Sequence, residues 1–394
     1  MSEQSIGRVV QDSSLGECLA LPGLVSAHSH AFQRALRGQT QRSSRANGTF
    51  WSWRDAMYAM ATSLTPESMY AIARVAYREL RAAGVVAVGE FHYVHHQADG
   101  TPYDDRTVMA DAVIRAALDE GLVITLLRTA YQRAGVGRDA EPGQRRFCDP
   151  DVSWVLRDVQ ALQKAYQGHA RVKVGLAPHS VRAVERRWVE ECARYADEQA
   201  LVMHMHVSEV QGEVDECLVE HGCRPMELLE ACGALSERFT AVHGTHLSAD
   251  EARILGRAKG YVCACPTTER DLGDGLATIA DLRDAGVRLC VGIDSHIVTD
   301  PVEEIRALET HERLRLRRRV TYEPSDGVPL AAHLWREGSV HGAQALGLAS
   351  ETLDEVYVPI GQPSLALVER EYWLDAIVLG SSKLVSEIRA IAAR

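Results

Sequence analysis

Eight short β-branched runs, each followed by a stretch long enough for a helix, constrain this chain more than any other feature. They are CLALPGLVSAH (18–28), VVAVGEF (85–91), LVITLLR (122–128), RVKVGLAP (171–178), ALVMHMH (200–206), RFTAVHG (238–244), GYVCACP (260–266) and VRLCVGID (287–294). Most are apolar throughout rather than alternating, which is the pattern of parallel strands covered on both faces. Between the first two, PESMYAIARVAYRELRAAG spaces its apolar residues near 3.6, follows a threonine and stops at Gly84, predicting a capped amphipathic helix. Eight strand and helix units predict an α/β fold, a closed (β/α)8 TIM-like barrel over residues 21–345. An open doubly wound sheet would carry a glycine-rich phosphate loop after its first strand, and none is present.

Composition narrows the class. With 394 residues and 46% hydrophobic content, the chain can bury the core such a barrel needs. A formal charge of −11 speaks against nucleic acid or an anionic membrane as partner, because both are gripped by concentrated Lys and Arg. Any anionic small molecule must then meet locally placed arginines. Nine cysteines, an odd number without C-x-x-C spacing, fit a reducing compartment, and Cys263 and Cys265 read as core residues. The opening MSEQSIGRVVQDSS lacks a basic segment followed by an apolar one, and no apolar stretch reaches the ~20 residues that cross a bilayer. The expectation is a cytoplasmic protein.

In a barrel of this kind the chemistry gathers where the strands end. LVSAHSHAFQR places His28 and His30 on one side of the first strand's end, about 6–7 Å apart along the chain. His206 ends the fifth strand, His243 the sixth and Asp294 the eighth. A single strand-end histidine is usually a satisfied structural group, and a chain with sixteen histidines shows an H-x-H pair by chance, as His204 and His206 illustrate. Several in one layer of one barrel reverse that reading. Three imidazoles and a carboxylate suit Zn2+ with a place left for water, which makes His28, His30, His206 and Asp294 the predicted ligands. A dinuclear site would want a bridging group at the end of the fourth strand, where the nearest lysine, Lys173, lies too early, so one metal per chain is expected. Glu209, three residues after His206, is placed to move a proton between water and a leaving nitrogen. His243 and His246 in AVHGTHL could polarise a substrate, the strand-end position favouring His243. The long segment QTQRSSRANGTFWSWRDAMYAM, with Trp51 and Trp53 near its centre, reads as a lid or wall over this end.

These residues, together with LPGLVSAHSHAFQRAL, FWSWRDAMY, GEFHYVHH, EPGQRRF, APHSVRAV, HMHVSEV, CPTTERDLGDG and IDSHIVTDPVEEIRALE, carry a resemblance. The chain resembles the amidohydrolase superfamily and, within it, the deiminases that act on N-formimino-L-glutamate in histidine breakdown. The resemblance implies a barrel of the metal-dependent hydrolase type and one zinc on His28, His30, His206 and Asp294. It implies catalytic roles for Glu209, His243 and Asp294, and a homodimer. It further implies substrate contacts from Gln33, Arg54, Tyr131, His179 and Arg182. Two arginines are chemically apt for a substrate with two carboxylates. Arg145 and Arg146 of GQRRF stand beside these as supporting or lid residues without an assigned carboxylate.

The superfamily usually adds a small β-sandwich from segments flanking the barrel. Here both contributions are short, so a reduced sandwich from residues 1–20 and 346–394 is expected, with GQPSLALVEREYWLDAIVLG read as strands. Arg270 and Asp271 in CPTTERDLGDG stand where smaller or neutral residues are expected. Two rival functions share these motifs. Another zinc aminohydrolase, for a nucleobase-like or guanidino substrate, would keep the metal site and leave two guanidinium groups without partners. A catalytically silent ligand-binding barrel would have no use for the intact ligand set, Glu209 and His243.

Overall fold

The structure, a computed structural model, describes residues 6–41, 50–322, 327–380 and 386–389, without the side chains of residues 50 and 51. All eight predicted barrel strands form. They are β3 (Leu24–Ser29), β4 (Val85–His92), β5 (Val123–Ala130), β6 (Val172–Pro178), β7 (Met203–Val207), β8 (Phe239–His243), β9 (Tyr261–Ala264) and β10 (Arg288–Val291), following β1 (Arg8–Asp12) and β2 (Gly16–Pro22). Each barrel strand pairs in parallel with its sequence neighbour, from β3 round to β10. The ring closes where the last strand reaches the first: His30 N donates to Asp294 O at 2.9 Å, and Asp294 N donates to His28 O at 3.1 Å. Closure needs Gly292, since a Cβ there would lie 2.6 Å from His28 Cβ and 2.9 Å from His28 O. The fold therefore sets the two ends of the predicted metal site edge to edge.

The crossover helices form as their spacing dictates. Pro66–Ala82 starts behind Thr65, whose hydroxyl accepts from Ser68 N at 3.2 Å while Ser68 Oγ accepts from Thr65 N at 2.8 Å. Met69, Ala73, Ala76, Tyr77 and Leu80 face inward, the i, i+4, i+7, i+8, i+11 stripe of an amphipathic helix. The segment read as a lid or wall is in part a helix, Phe50–Thr62, fastened from behind by Arg146, which is fully buried and donates to the carbonyls of Ala61 and Leu64. Residues 42–49 of that segment, and the Trp51 side chain, lie outside the described residues.

Two readings of the terminal segments change. The first run is two strands, split at Gly23: β2 belongs to a separate antiparallel sheet, and only β3 enters the barrel. That sheet has the order β1, β2, β11 (Glu355–Pro359), β12 (Glu387–Arg389), so the expected terminal layer is a single four-stranded sheet. Residues 361–380 are short helical turns instead of strands. Pro363 removes a ladder donor, and the buried Ile377 and Val378 lie in the turn Ala376–Gly380, which packs on the helix Pro301–Leu316.

Candidate metal centre and substrate pocket

The four predicted ligands converge at the barrel's closure. His28 Nε2 lies 3.1 Å from His30 Nε2 and 3.2 Å from His206 Nε2. Asp294 Oδ1 lies 3.3 Å from His28 Nε2 and 3.4 Å from His30 Nε2. A tetrahedral shell with bonds of about 2.0–2.1 Å has edges of about 3.3–3.4 Å, so these donors stand at coordination spacing. Two rings are oriented from behind: His30 Nδ1 donates to Phe91 O at 2.9 Å and His206 Nδ1 to His179 O at 3.1 Å. Each Nε2 thus presents a lone pair to the others, an arrangement that a cation relieves. Burial pushes His28 down to about 3 and lowers His30 and His206 as well, keeping all three in the neutral, metal-binding form. Burial alone would raise Asp294, but the facing imidazoles of His28, His30 and His243 hold it below the usual carboxylate range. Three imidazoles and a carboxylate at this spacing fit a zinc ion.

Asp294 and His243 both have left-handed backbones, with φ of 53° and 68°, a conformation that costs a non-glycine residue about 1–3 kcal/mol. At Asp294 the closing hydrogen bonds to β3 impose it. At His243, Gly244 N donates to Val207 O at 3.1 Å and anchors the strand end. The His243 ring stacks on His206 with centroids 5.5 Å apart, and its Nε2 lies 3.6 Å from Glu209 Oε1 and 3.9 Å from Asp294 Oδ2. On the far side, Nδ1 lies 3.3 Å from Glu269 Oε1. Burial would discharge this imidazole, but the carboxylates of Glu209, Glu269 and Asp294 outweigh it and push His243 up to about 10. Glu209 is raised by burial, against the pull of His243 and Arg182.

A cavity opens over this cluster, and Gln33, Arg54, Tyr131, His179 and Arg182 all line it. Gln33 Nε2 donates to Tyr93 OH at 3.0 Å, while its Oε1 is buried without a hydrogen-bond partner among the described residues. Arg182 donates from Nε to Glu213 Oε2 at 3.3 Å and stands 3.8 Å from Glu209 Oε2. Arg54 lies over the Tyr58 ring, 5.4 Å from its centroid. Tyr131 OH accepts from Gln144 Nε2 at 2.8 Å, which also donates to Tyr58 OH at 3.0 Å. The rings of Tyr131 and His179 meet edge to face at 4.7 Å.

Sequence reading missed Met57, Tyr58, Tyr93 and Leu272 in the wall, and Gln144, Glu213 and Glu269 behind it. A signal existed for Tyr93, which follows the β4 strand end in EFHYVHH. Gln144 stands in the same GQRRF stretch whose arginines drew the attention; Arg145 is exposed and Arg146 is a buried strut. His246 turns to Asp274 O, 2.8 Å away, and lines no part of the cavity. Arg270 and Asp271 are exposed on the helix Pro266–Leu272, meeting Glu303 at 3.3 Å and Gln41 at 3.1 Å, so the unexpected charges stay outside the cavity. Cys263 and Cys265 are buried, as expected of core residues, with thiols that burial pushes well above their ordinary value.

A parallel eight-stranded barrel that gathers three histidines, a carboxylate and a buried glutamate at its strand ends is the architecture of a metal-dependent hydrolase. The chain belongs to the amidohydrolase family, whose sequence model matches residues 19–355. It is 38% identical over 330 residues to formimidoylglutamate deiminase of Pseudomonas aeruginosa, covering 83% of this chain and 72% of that one. It is 26% identical over 358 residues to 5'-deoxyadenosine deaminase of Methanospirillum hungatei, covering 88% and 71%. Among solved structures, an amidohydrolase from Brucella melitensis superposes with a TM-score of 0.86 at 32% identity, over 94% of this chain and 84% of that one. A zinc-bound adenosine deaminase from Xanthomonas campestris shares the fold, with a TM-score of 0.74 at 20% identity, over 92% and 76%. The chain is a hydrolase of C–N bonds.

Proposed function

We propose that this chain hydrolyses N-formimino-L-glutamate to N-formyl-L-glutamate and ammonia, with one zinc held by His28, His30, His206 and Asp294. The observation that carries the reading is one cavity lined by His30, His206 and Asp294 of that donor set together with two guanidinium groups, Arg54 and Arg182. A dicarboxylate makes use of both positive charges, and a neutral heterocycle calls for neither. The 38% identity to the Pseudomonas aeruginosa deiminase supports the same substrate. Zinc in this site supplies Lewis acidity and a water that ionises near neutral pH.

The protein groups divide the remaining work. Arg54 and Arg182 bind the two carboxylates, with Tyr131 OH adding a hydrogen bond. Gln33 Oε1 accepts a substrate N–H, and His179 closes the wall beside the formimino carbon. Glu209 takes the proton of the attacking water and passes it to the imino nitrogen. His243, protonated at Nε2, donates toward the charge that develops in the tetrahedral intermediate, and Asp294 can relay a proton as well as bind metal. Collapse expels ammonia, so one water is consumed and one C–N bond broken. The reading also carries a cytoplasmic, homodimeric protein, which rests on composition and the resemblance. The test is ammonia release by zinc-loaded protein from formiminoglutamate, with formiminoaspartate, guanidinosuccinate and guanine in parallel. Strong preference for the first is expected; preference for guanine or guanidinosuccinate refutes the assignment.

A further inference from the structure

Four buried carboxyl groups act on His243: Glu209, Asp294, Asp274 and Glu269. Glu209 and Asp294 approach Nε2 from the cavity side, and Asp274 has no hydrogen-bond partner for either side-chain oxygen among the described residues. Glu269 differs in being tied down. Its Oε1 accepts from Cys265 N at 2.8 Å and lies 3.3 Å from His243 Nδ1, while Glu269 N donates to Cys265 O at 2.9 Å. The reciprocal bonds lock the carboxylate at the start of the helix Pro266–Leu272, directly after β9, the neighbour of the strand that ends in His243.

We propose that Glu269 is a positioning residue for His243: it accepts a hydrogen bond from Nδ1–H and holds the ring so that Nε2 faces Glu209 and the reacting group. The inference rests on the proposed catalytic role of His243. An imidazole turns easily about χ2, and its neutral form can carry the proton on either nitrogen. A carboxylate only accepts, so a fixed one behind Nδ1 selects both the ring orientation and the protonated nitrogen. This is the arrangement in which a catalytic histidine is oriented by a third group. A purely structural role exists as the competing account, because Glu269 also caps the helix through Cys265 N. His243, Cys265 and Glu269 could in addition hold a metal ion, since their donor atoms lie within 4.8 Å of one another. Burial keeps the Cys265 thiol protonated, which favours the hydrogen-bonded account.

The test compares Glu269→Gln, His243→Asn and the double variant for zinc content, kcat and KM with formiminoglutamate. Glutamine keeps an oxygen at the Oε1 position that Cys265 N and His243 Nδ1 share, and removes the charge that holds the Nδ1 proton there. Glu269→Gln is expected to lower kcat on the order of 10- to 100-fold with KM and zinc content unchanged, and to cost nothing further in the His243→Asn background. An unchanged kcat, or an equal loss in both backgrounds, overturns the proposal. So does a second metal equivalent that Glu269→Gln releases. If His243→Asn itself retains full kcat, the role assigned to His243 fails first, which separates the two readings. Should Glu269→Gln not fold, histidine-labelled wild-type protein decides by nitrogen NMR: a protonated His243 Nδ1 is expected, and an unprotonated one refutes the proposal.

Discussion

Arg182→Met tests the substrate assignment most directly, because the structure gives this residue two separable partnerships. Toward the cavity it is offered as a carboxylate ligand, and a charge-assisted hydrogen bond of that kind contributes about 1.5–3 kcal/mol. Its loss should raise KM by about 10- to 150-fold at 1.4 kcal/mol per decade, with a smaller change in kcat. Behind the cavity, Arg182 is the cation for Glu213, which is 0% exposed and keeps one other donor, Ser208 N at 2.8 Å. Breaking a buried pair costs about 3–5 kcal/mol, and Glu213, already raised by burial, can protonate, so the lower end applies. The variant should therefore lose about 3 kcal/mol in urea unfolding, and Arg182→Met/Glu213→Gln should regain most of that stability without recovering KM. Ammonia release is then measured on formiminoglutamate and on two analogues, each lacking one carboxylate. On the analogue without the carboxylate that Arg182 reads, wild type and variant should converge. An equal deficit on all three substrates would refute the role.

Three further outcomes are expected. Glu209→Gln should retain zinc and lower kcat by about 10²- to 10⁴-fold, read from metal analysis beside ammonia release; an unimpaired variant removes Glu209 from proton transfer. Dialysis against a chelator should abolish activity, which added zinc restores, and Asp294→Asn or His206→Asn should lower zinc content; full activity in metal-free protein would contradict the site. Burial lowers His92 to about 3 and lowers His95 and His341 as well, so the unfolded chain binds protons that the folded one excludes. Their contribution is present above pH ~6.5 and is lost as the pH falls toward 3. Urea unfolding should show stability falling between pH 7.5 and 5.5, with a shallower slope in His92→Gln.

Strand periodicity made the barrel legible because a strand buried on both faces must be apolar throughout, and that requirement leaves its mark locally. The same logic exposed His28, His30, His206, His243 and Asp294, since a polar group at the end of such a strand interrupts the pattern. The terminal segments were harder to read: 361–380 has apolar residues enough for strands, but which partner covers them decides between helical turns and sheet. Residues that act from behind were not legible. Glu269, Glu213 and Gln144 sit in helices or helical turns that follow the strands, where a charged or amide side chain is ordinary, and only their distances to His243, Arg182 and Tyr131 distinguish them.

By itself the sequence determined the number of strand and helix units, the strand-end layer of the proposed site and the donor types proposed for its metal, because these follow from periodicity and from side-chain chemistry. Tertiary structure alone decided that Asp294 closes against His28 and His30, that Arg182 is shared with Glu213, and that Glu269 stands behind His243. Those facts depend on the ring's closure and on the packing of neighbouring loops, which bring together residues separated by up to 266 positions, as Asp294 and His28 are, and local sequence carries no record of such distances.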